Sequence, residues 1–489
     1  MTKSIFNKFL DLYQSSAKAQ CFFWKDEWHS RERFLSLISI ITNLLKEKLR
    51  SSDYVIYYGA NHPVALALPF ACEYLNLKYI PIPETVSMDA ALEFKKIYQI
   101  NLGFFLNDTI ENFMDAEKIW AQNKNTEYAS IDLNLKPNAN HEKFGIGFLT
   151  SGSTGSPKLI FQNNQHILAN IAAAVNGQLL TEGEKVLAAI SICHSGGLCI
   201  QTLPAIFTGC PLVLMQKFSV KSFFSAIDGH DVKVTLLVPS YLRLIRLSSF
   251  WDREYFKNLR LAGIGSSQLD VRLAQDSLKI GIPLFNIYGL TEAGPFALYG
   301  AISNTENGIV SIGKPAINIE IKLLDGASGK IYLRGSAVQP LLLEGTQEKR
   351  LLDAEGWYNT NDFAVKIGDE YFFTGRQTDI ANVGGLKVNL IDLEQKLSAI
   401  LNVNNVVVFL RPHSLFGEIL VACIESIDTK LTARKILKMC KGQLPRHMIP
   451  RNILIIPEFP KSSIGKVLKN KLKEKYYKKI DLKNVFLNP

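Results

Sequence analysis

Features that define several protein classes are missing from this sequence. No apolar run approaches the roughly 20 residues that span a bilayer, and the N-terminal segment has no long apolar stretch typical of a secretory signal. The seven cysteines, at 21, 72, 193, 199, 210, 423 and 440, are odd in number and contain no Cys-x-x-Cys pair. A disulfide framework and a zinc ribbon are therefore disfavoured. We expect a soluble, cytoplasmic protein with reduced, mostly buried thiols.

The composition is that of a globular protein. Hydrophobic residues make up 47% and charged residues 20%, which excludes extensive disorder, and 489 residues exceed one ordinary core. Two or three domains are expected. The net charge is +10, and nine lysines fall between Lys461 and Lys483. Because no arginine is interleaved with them, this tail indicates a solvated helix face and no nucleic-acid partner.

Short β-branched runs alternate with helical patterns over the first three hundred residues, which predicts α/β architecture with largely parallel sheets. Predicted strands are Tyr54–Tyr58, Tyr79–Ile82, Gly145–Leu149, Val186–Ile190, Leu212–Met215, Val234–Val238, Leu261–Ile264 and Leu284–Ile287. Predicted helices are Val64–Leu75, Ile167–Ala174, Val220–Ile227 and Ser240–Leu247.

The residue pattern changes after residue 308. A β-rich region follows, with strands at Asn318–Leu324 and Lys330–Arg334 and a hairpin over Phe363–Phe373 that turns at Gly368 and Asp369. The last hundred residues predict an α+β domain with helices at Leu390–Leu401, Ala433–Leu444 and from Gly465, and strands at Val406–Leu410, Ile419–Cys423 and Asn452–Ile455. We place the domain boundary at 377–379, which gives domains 1–377 and 378–489.

The most informative stretch is TSGSTGSPK at 150–158, directly after a predicted strand. Its glycines allow a tight turn that exposes backbone amides, and its hydroxyls and lysine suit a polyphosphate. It is not a Walker A loop, because two residues separate the second glycine from the lysine. A Ser/Gly-rich surface turn remains an equal alternative. The candidate phosphate ligands are Thr150, Ser151, Gly152, Ser153, Thr154, Gly155 and Lys158.

Together with four later motifs, this stretch resembles the phosphate loop of the ANL superfamily of adenylate-forming enzymes. The later motifs are YGLTE at 288–292, GWYNTND at 356–362, the block YFFTGRQTD with GGLKV and DLE at 371–394, and PKSSIGK at 460–466. The resemblance covers essentially the whole chain. It implies a large N-terminal domain of two α/β subdomains plus a small β-rich subdomain, followed by a mobile α+β C-terminal domain. It also implies ATP-dependent activation of a carboxylic acid as an acyl-AMP.

The resemblance assigns roles to individual residues. Glu292 would bind Mg²⁺, Tyr288 would lie against the adenine and Thr291 would contact the α-phosphate. Asp362 would accept hydrogen bonds from the ribose and Arg376 would support the same sugar. Each has an ordinary alternative as a helix cap, a core aromatic or a turn residue. Asn361 replaces the family's glycine, and asparagine tolerates the left-handed conformation.

Lys466 is the strongest catalytic candidate, since the matching lysine of the family reaches the substrate carboxylate and offsets its repulsion from phosphate. His194 resembles the gate beside the acid pocket, which would also include Ser195, Gly263 and Gly289. Amino-acid-activating relatives carry an aspartate in this region. None stands between 191 and 197, which favours an acid without an α-amine.

The second half-reaction is assigned to the C-terminal domain. Gly384 and Gly385 would line the thiol channel, and Thr378 stands where the family has its hinge. The acceptor thiol would be coenzyme A, with the phosphopantetheine arm of an acyl carrier protein as the alternative. A catalytically silent nucleotide-binding homologue is the alternative of another class. The sequence identifies neither the acid nor the oligomeric state.

Overall fold

The computed structural model describes residues 4–48, 54–100, 102–106, 113–125, 143–150, 158–302, 310–338, 341–344, 347–376, 379–383, 386–403, 405–413, 417–428, 430–461 and 467–477. These residues form two compact units. The first takes the described residues of Met1–Lys322, Tyr332–Thr360 and Gly368–Tyr371. The second takes those of Leu323–Ile331, Asn361–Ile367 and Phe372–Pro489. The division at 377/378 stays a prediction.

The N-terminal half of the first unit alternates helices and strands. Its elements are α1 (Ile5–Ser15), β1 (Gln20–Trp24), β2 (Glu27–Ser30), α2 (Arg31–Lys48), β3 (Tyr54–Gly59), α3 (Pro63–Tyr74), β4 (Lys78–Pro83), α4 (Met88–Ile97), β5 (Leu102–Phe105), β6 (Phe113–Asp115), α5 (Ala116–Asn125), β7 (Gly145–Thr150), β8 (Lys158–Asn163) and α6 (Asn164–Gln178).

The alternation continues to residue 301 and then gives way to strands. The elements are β9 (Val186–Ala188), a π-helix (Gly196–Thr202), α7 (Leu203–Thr208), β10 (Leu212–Leu214), α8 (Val220–His230), β11 (Val234–Leu237), α9 (Pro239–Arg246), β12 (Leu261–Ile264), α10 (Val271–Lys279), β13 (Leu284–Leu290), β14 (Gly294–Ala301), β15 (Ser311–Pro315), β16 (Ile319–Asp325), β17 (Ser328–Gly335), β18 (Leu341–Glu344), β19 (Gln347–Arg350), β20 (Tyr358–Ile367) and β21 (Glu370–Arg376). Short 3-10 turns lie at Arg253–Phe256 and Thr291–Ala293.

Two sheets organise the first unit. One runs β19-β18-β8-β7-β4-β3-β5-β6, and the other contains the order β15-β14-β13-β12-β11-β9-β10-β1-β2. Strands β9 to β13 pair in parallel, as do β3 to β7, which confirms the predicted α/β class. All eight predicted strands of this region are present, and the hairpin turns at Gly368 (φ +59°) as predicted.

The core of the first unit lies between its helices and these sheets. Helix α3 is apolar all round and buried, and it begins at a His62 cap whose Nδ1 accepts the Val64 N–H at 3.2 Å. Its Glu73 carboxylate is buried and caps a second helix. It accepts bonds from Ser4 Oγ (2.9 Å), Ile5 N (3.1 Å) and Phe6 N (2.7 Å) at the start of α1. One buried acid therefore docks the N-terminal helix onto α3.

The second unit contains the predicted α+β pattern. Its elements are β22 (Ile380–Val383), β23 (Leu386–Asn389), α11 (Leu390–Leu401), β24 (Val406–His413), β25 (Gly417–Glu425), α12 (Ala433–Cys440), a 3-10 turn (Arg446–Met448), β26 (Asn452–Ile456) and α13 (Lys469–Tyr477). Strands run β24-β25-β26, with α11 and α12 packed on one face and Leu472 of α13 in the core on the other. Gly465, where the last helix was predicted to begin, lies outside the described residues.

Two expectations about bulk chemistry can be compared with the structure. All seven cysteines are buried and free, as predicted. In the described part of the chain, no helix combines the length and apolarity needed to cross a bilayer.

Candidate active site

The candidate residues of the first unit collect at one edge of a sheet. Strands β9 to β13 are parallel neighbours, so their carboxyl ends meet at the same edge, where ligands bind in open α/β sheets. His194 and Ser195 follow β9, and Ser266 follows β12. Tyr288 and Thr291 lie at the end of β13 and just beyond it. The predicted phosphate, adenine and acid contacts of this sheet therefore share one edge.

The phosphate motif lies between two paired strands. β7 and β8 are antiparallel, and Thr150 is the register partner of Lys158. The two ends of the motif are therefore adjacent. The predicted contacts of Ser151, Gly152, Ser153, Thr154 and Gly155, and the side chains of Thr150 and Lys158, lie outside the described residues.

A side chain that the sequence analysis missed connects this hairpin to the YGLTE segment. Gln162 lies on β8, four residues after Lys158, and its Nε2 donates to the Thr291 carbonyl at 2.8 Å. Gln162 is 3% exposed, so the contact is shielded from water. An uncharged amide within a strand gives no signal in a single sequence, which is why it was not singled out. It brings the phosphate hairpin to the predicted metal-binding turn.

The side chain of Thr291 makes a second contact. Its Oγ1 lies 3.0 Å from Ser195 Oγ, next to the predicted gate His194. Ser195 is buried, and Thr291 and His194 are half-buried. One hydroxyl pair therefore joins the nucleotide segment to the acid-pocket segment, and both residues had been predicted for the site.

The turn that carries His194 is fixed by packing. The His194 N–H donates to Ser191 O at 3.2 Å, and a π-helix begins at Gly196. A Cβ on Gly197 would lie 2.1 Å from Ser191 O, whereas a Cβ on Gly196 would meet nothing closer than 3.7 Å. π-Helices are rare and often occur at functional sites. The glycine at 197 allows this helix to approach the histidine turn.

Asn61 is the second residue that sequence analysis missed. It follows β3 of the other sheet and is 3% exposed. Its Nδ2 donates to Ile190 O (3.1 Å) and Met215 O (2.8 Å), and its Oδ1 accepts the Ile192 N–H (2.8 Å). One amide thus holds the segments that follow β9 and β10 and sets the entry to the histidine turn.

Cys193 precedes His194 and raises the question of a nucleophilic cysteine. Burial raises the pKa of its thiol to about 12, with a smaller opposing effect from the Ser191 hydroxyl. Its Sγ lies 3.6 Å from Gly59 O. A reactive cysteine needs an accessible thiolate, so Cys193 is a packing residue.

Two aromatic rings lie at the same sheet edge. Phe218, after β10, and Tyr241, in α9 after β11, stack with centroids 3.7 Å apart and ring planes at 7°. Phe218 is half-buried and Tyr241 is buried. Burial raises the pKa of the Tyr241 phenol, which keeps it neutral. The two ring faces cover each other, so the pair forms a small apolar cluster after β10 and β11.

The glycines predicted for the acid pocket have structural explanations. A side chain at Gly263 would meet the side chains of Leu236 and Ile287, each 3.1 Å away, and one at Gly289 would lie 2.3 Å from the Pro295 carbonyl oxygen. The approach of β14 to β13 therefore requires glycine at 289. Their role as lining of the acid pocket stays a prediction.

Glu292 lies in the 3-10 turn that follows β13 and is half-buried. Among the described residues there is no cluster of three or more His, Cys, Asp or Glu that would hold a metal without substrate. A single carboxylate fits Mg²⁺ on a nucleotide, since that ion takes most ligands from phosphate and water.

The two residues predicted for the ribose form an ion pair in the second unit. Arg376 Nε lies 2.6 Å from Asp362 Oδ1, and the Asp362 side chain is 0% exposed while Arg376 is 47% exposed. Asn361 has φ +58°, the left-handed conformation predicted for it. The guanidinium lies against the buried carboxyl group, and a carboxylate can accept hydrogen bonds from both ribose hydroxyls. Lys466, Gly384, Gly385 and Thr378 lie outside the described residues.

Comparison with known proteins extends these observations. Residues 13–340 match the AMP-binding enzyme family and residues 392–466 match the AMP-binding enzyme C-terminal domain. Indoleacetate–CoA ligase of Aromatoleum aromaticum is 26% identical over 446 residues, covering 86% of this chain and 88% of that protein. A 2-succinylbenzoate–CoA ligase of Listeria monocytogenes is 27% identical over 330 residues, covering 67% and 69%.

The fold is also similar to that of a solved ATP-bound structure. The ATP-bound structure of MatB from Rhodopseudomonas palustris superposes with a TM-score of 0.84 at 18% identity, covering 97% of this chain and 99% of that one. The first family match alone spans more than half of the chain. The chain therefore belongs to the AMP-binding enzyme family of the ANL superfamily, and it is an adenylate-forming enzyme of the acyl-CoA synthetase type.

Proposed function

We propose that this enzyme joins an apolar, ring-bearing carboxylic acid to coenzyme A. The acid carboxylate attacks the α-phosphorus of ATP, the bond to pyrophosphate breaks, and an acyl-AMP forms. The coenzyme A thiol then attacks the acyl carbon, loses its proton and releases AMP. The observation that carries the proposal is the chain of contacts from Gln162 to Thr291 to Ser195. It joins the phosphate hairpin, the metal turn and the acid segment.

The first step requires charge compensation, because a carboxylate approaches an anionic triphosphate. We assign the triphosphate to Thr150–Gly155 and Lys158, the α-phosphate to the Thr291 hydroxyl and the metal to Glu292. Mg²⁺ supplies positive charge that favours departure of pyrophosphate. Tyr288 holds the adenine, and Asp362 with Arg376 holds the ribose. Lys466 places its ammonium between the carboxylate and the α-phosphate.

The acid pocket lies beside His194 and Ser195. The rings of Phe218 and Tyr241 make the region after β10 and β11 apolar, which favours an apolar or aromatic acid there. No aspartate or glutamate stands between 191 and 197 to pair with an α-ammonium group. The two ligases compared above are named for acids that carry an aromatic ring and no α-amine, although succinylbenzoate also carries a second carboxylate. These observations support the same substrate class.

We assign coenzyme A as the acceptor from the relatives of this enzyme. Both ligases compared above are named for CoA. We assign the thiol channel to Gly384 and Gly385. Transfer to a carrier protein is the second candidate, and a direct comparison of free coenzyme A with a phosphopantetheinylated carrier separates the two.

A matched pair of acids tests the substrate class. Tryptophan is indole-3-propionate with an added α-amine, so the pair isolates the amine. We expect acid-dependent exchange of labelled pyrophosphate into ATP with indole-3-propionate or indole-3-acetate and none with tryptophan. Exchange with hexanoate alone would replace the ring-bearing class by a fatty acid. Absence of exchange across aryl, aliphatic and amino acids would contradict the proposed reaction.

A further inference from the structure

The described residues that flank positions 462–466 contact each other through their backbones. Lys461 and Val467 form an antiparallel bridge, and the Leu468 N–H donates to Pro460 O at 2.8 Å. These flanking residues, which form the base of the 462–466 segment that ends in Lys466, are therefore adjacent. Whatever fixes this base also limits where the intervening lysine can reach.

The first side of the base is held by Glu425, at the end of β25. Its Oε1 accepts from Lys461 Nζ and from the Phe459 N–H, both at 2.8 Å, and Asn405 Nδ2 donates to its other oxygen. The Glu425 side chain is 13% exposed. A carboxylate so enclosed, with three donors, holds Lys461 more firmly than a solvated surface pair would.

The second side is held by Glu394, on α11. Lys469 Nζ lies 2.9 Å from Oε1 and 2.8 Å from Oε2, and the Val408 N–H donates to Oε1 at 2.8 Å. The Glu394 side chain is also 13% exposed. Burial raises its pKa, Lys469 opposes that shift, and the charge of Asp379, beside the predicted hinge, adds to it.

An apolar contact completes the base. Phe459 and Leu472 belong to a buried cluster on one face of the second unit's sheet, and Val467 packs against that cluster. Apolar packing fixes the depth of the segment but not its direction along the surface. The two ion pairs run to different elements, β25 and α11, and so define that direction.

We propose that Lys469 with Glu394 and Lys461 with Glu425 are positioning residues for the first half-reaction, which aim the 462–466 segment and therefore Lys466. The inference rests on the role proposed above for Lys466. The observed partners of both pairs are residues of the second unit, so we assign the pairs a role through the orientation of Lys466. Loss of either pair would misplace Lys466, which would lower the rate of adenylation and leave thiol transfer unaffected.

The test compares Lys469→Met and Lys461→Met with Lys396→Met. Lys396 pairs with Asp392 at 2.8 Å on the same helix as Glu394, but 47% and 42% of these side chains are exposed. We expect Lys469→Met and Lys461→Met to lower kcat for acid-dependent pyrophosphate exchange by about tenfold or more, with KM for ATP unchanged. Thioester formation from supplied acyl-AMP should stay within about twofold, and Lys469→Arg should restore most of the exchange activity. Lys396→Met should match the wild type.

Two further measurements separate the possible outcomes. Amide exchange of Leu468, followed without substrate, should speed up in Lys469→Met and not in Lys396→Met. Unchanged amide exchange, or equal loss of both half-reactions together with a lower Tm, would overturn the inference. Lys466→Ala distinguishes the two proposals. If it abolishes pyrophosphate exchange while Lys469→Met and Lys461→Met leave it intact, the positioning role fails and the proposed function stands. If Lys466→Ala leaves exchange intact, the assigned role of Lys466 itself fails.

Discussion

At the scale of single residues, Thr291 contacts two other segments of the candidate site. Its carbonyl accepts from Gln162, and its hydroxyl lies 3.0 Å from Ser195 Oγ. A hydroxyl so placed either contacts phosphate or only holds Ser195. Substitutions at Thr291 and at Ser195 distinguish these two roles by their effects on adenylation.

We expect Thr291→Val to lower kcat/KM for adenylation by about tenfold to a hundredfold, because a hydrogen bond to a charged group is worth about 1.5–3 kcal/mol. Thr291→Ser should stay within about threefold of the wild type. Steady-state pyrophosphate exchange at varied ATP measures both. If Ser195→Ala causes the same loss as Thr291→Val, the hydroxyl acts through Ser195, and the phosphate contact is lost from the assignment.

At the scale of elements, the sequence predicted strands better than the contacts between them. The runs at 54–58, 234–238 and 261–264 are short, apolar and β-branched, and each forms a strand. β8 was not predicted, because Lys158–Asn163 mixes polar and apolar residues and takes its structure from pairing with β7. Asn61 and Gln162 were missed for a related reason. Their partners are backbone groups distant in sequence, and such partners leave no local pattern.

The π-helix provides a prediction with its control in the adjacent position. Gly197→Ala would place a methyl group 2.1 Å from Ser191 O, whereas Gly196→Ala meets only ordinary contacts. We expect Gly197→Ala to destabilise the histidine turn by about 1–3 kcal/mol and to lower adenylation. Gly196→Ala should leave both unchanged. Tm and pyrophosphate exchange measure the pair, and equal behaviour of the two variants would contradict the packing argument.

The docking of α1 on Glu73 predicts a pH dependence. Burial raises the pKa of Glu73 to about 7 from an ordinary 4.5, and the bonds from Phe6, Ser4 and Ile5 only partly oppose this. Between these values the docked state holds a proton that the undocked state has lost. The stabilisation is therefore complete below about pH 4.5 and is lost as pH rises to about 7.

Amide exchange of α1 measures this effect. The free energy of opening should fall from pH 5 to pH 7 by about 1–3 kcal/mol more in the wild type than in Glu73→Gln, which cannot ionise. Comparing the two proteins at each pH cancels the intrinsic exchange rates. A difference between them that does not vary with pH would show that Glu73 does not titrate in this range.

At the scale of the whole molecule, the sequence predicted the fold class and the reaction type from five motifs in order. Their spacing along the chain is set by the fold, so the series carries more information than any single motif. What spacing could not give is the identity of the acid, because the side chains that we propose for its pocket follow different strands. Phe218 and Tyr241 are 23 positions apart and meet only in the folded sheet.

The two half-reactions predict a separable defect at Thr378, the position proposed as the hinge. Proline fixes φ near −65° and restricts the preceding residue, so Thr378→Pro should limit rotation about that position. We expect the ratio of adenylation to thioester formation to change by about tenfold or more. Thr378→Ala should leave the ratio within about twofold. Separate assays of pyrophosphate exchange and of thiol transfer from supplied acyl-AMP measure it, and proportional loss of both rates would place the hinge elsewhere.

The distribution of functions along one sheet edge bears on redesign. Segments after β10 and β11 carry the aromatic pair, while the end of β13 carries the adenine and metal candidates. Asn61 holds the segments after β9 and β10 through backbone groups alone, so it places no demand on the side chains there. We therefore propose positions 218 and 241 as the first to vary when the enzyme is retargeted toward a bulkier or smaller acid, since they lie apart from the candidate nucleotide residues.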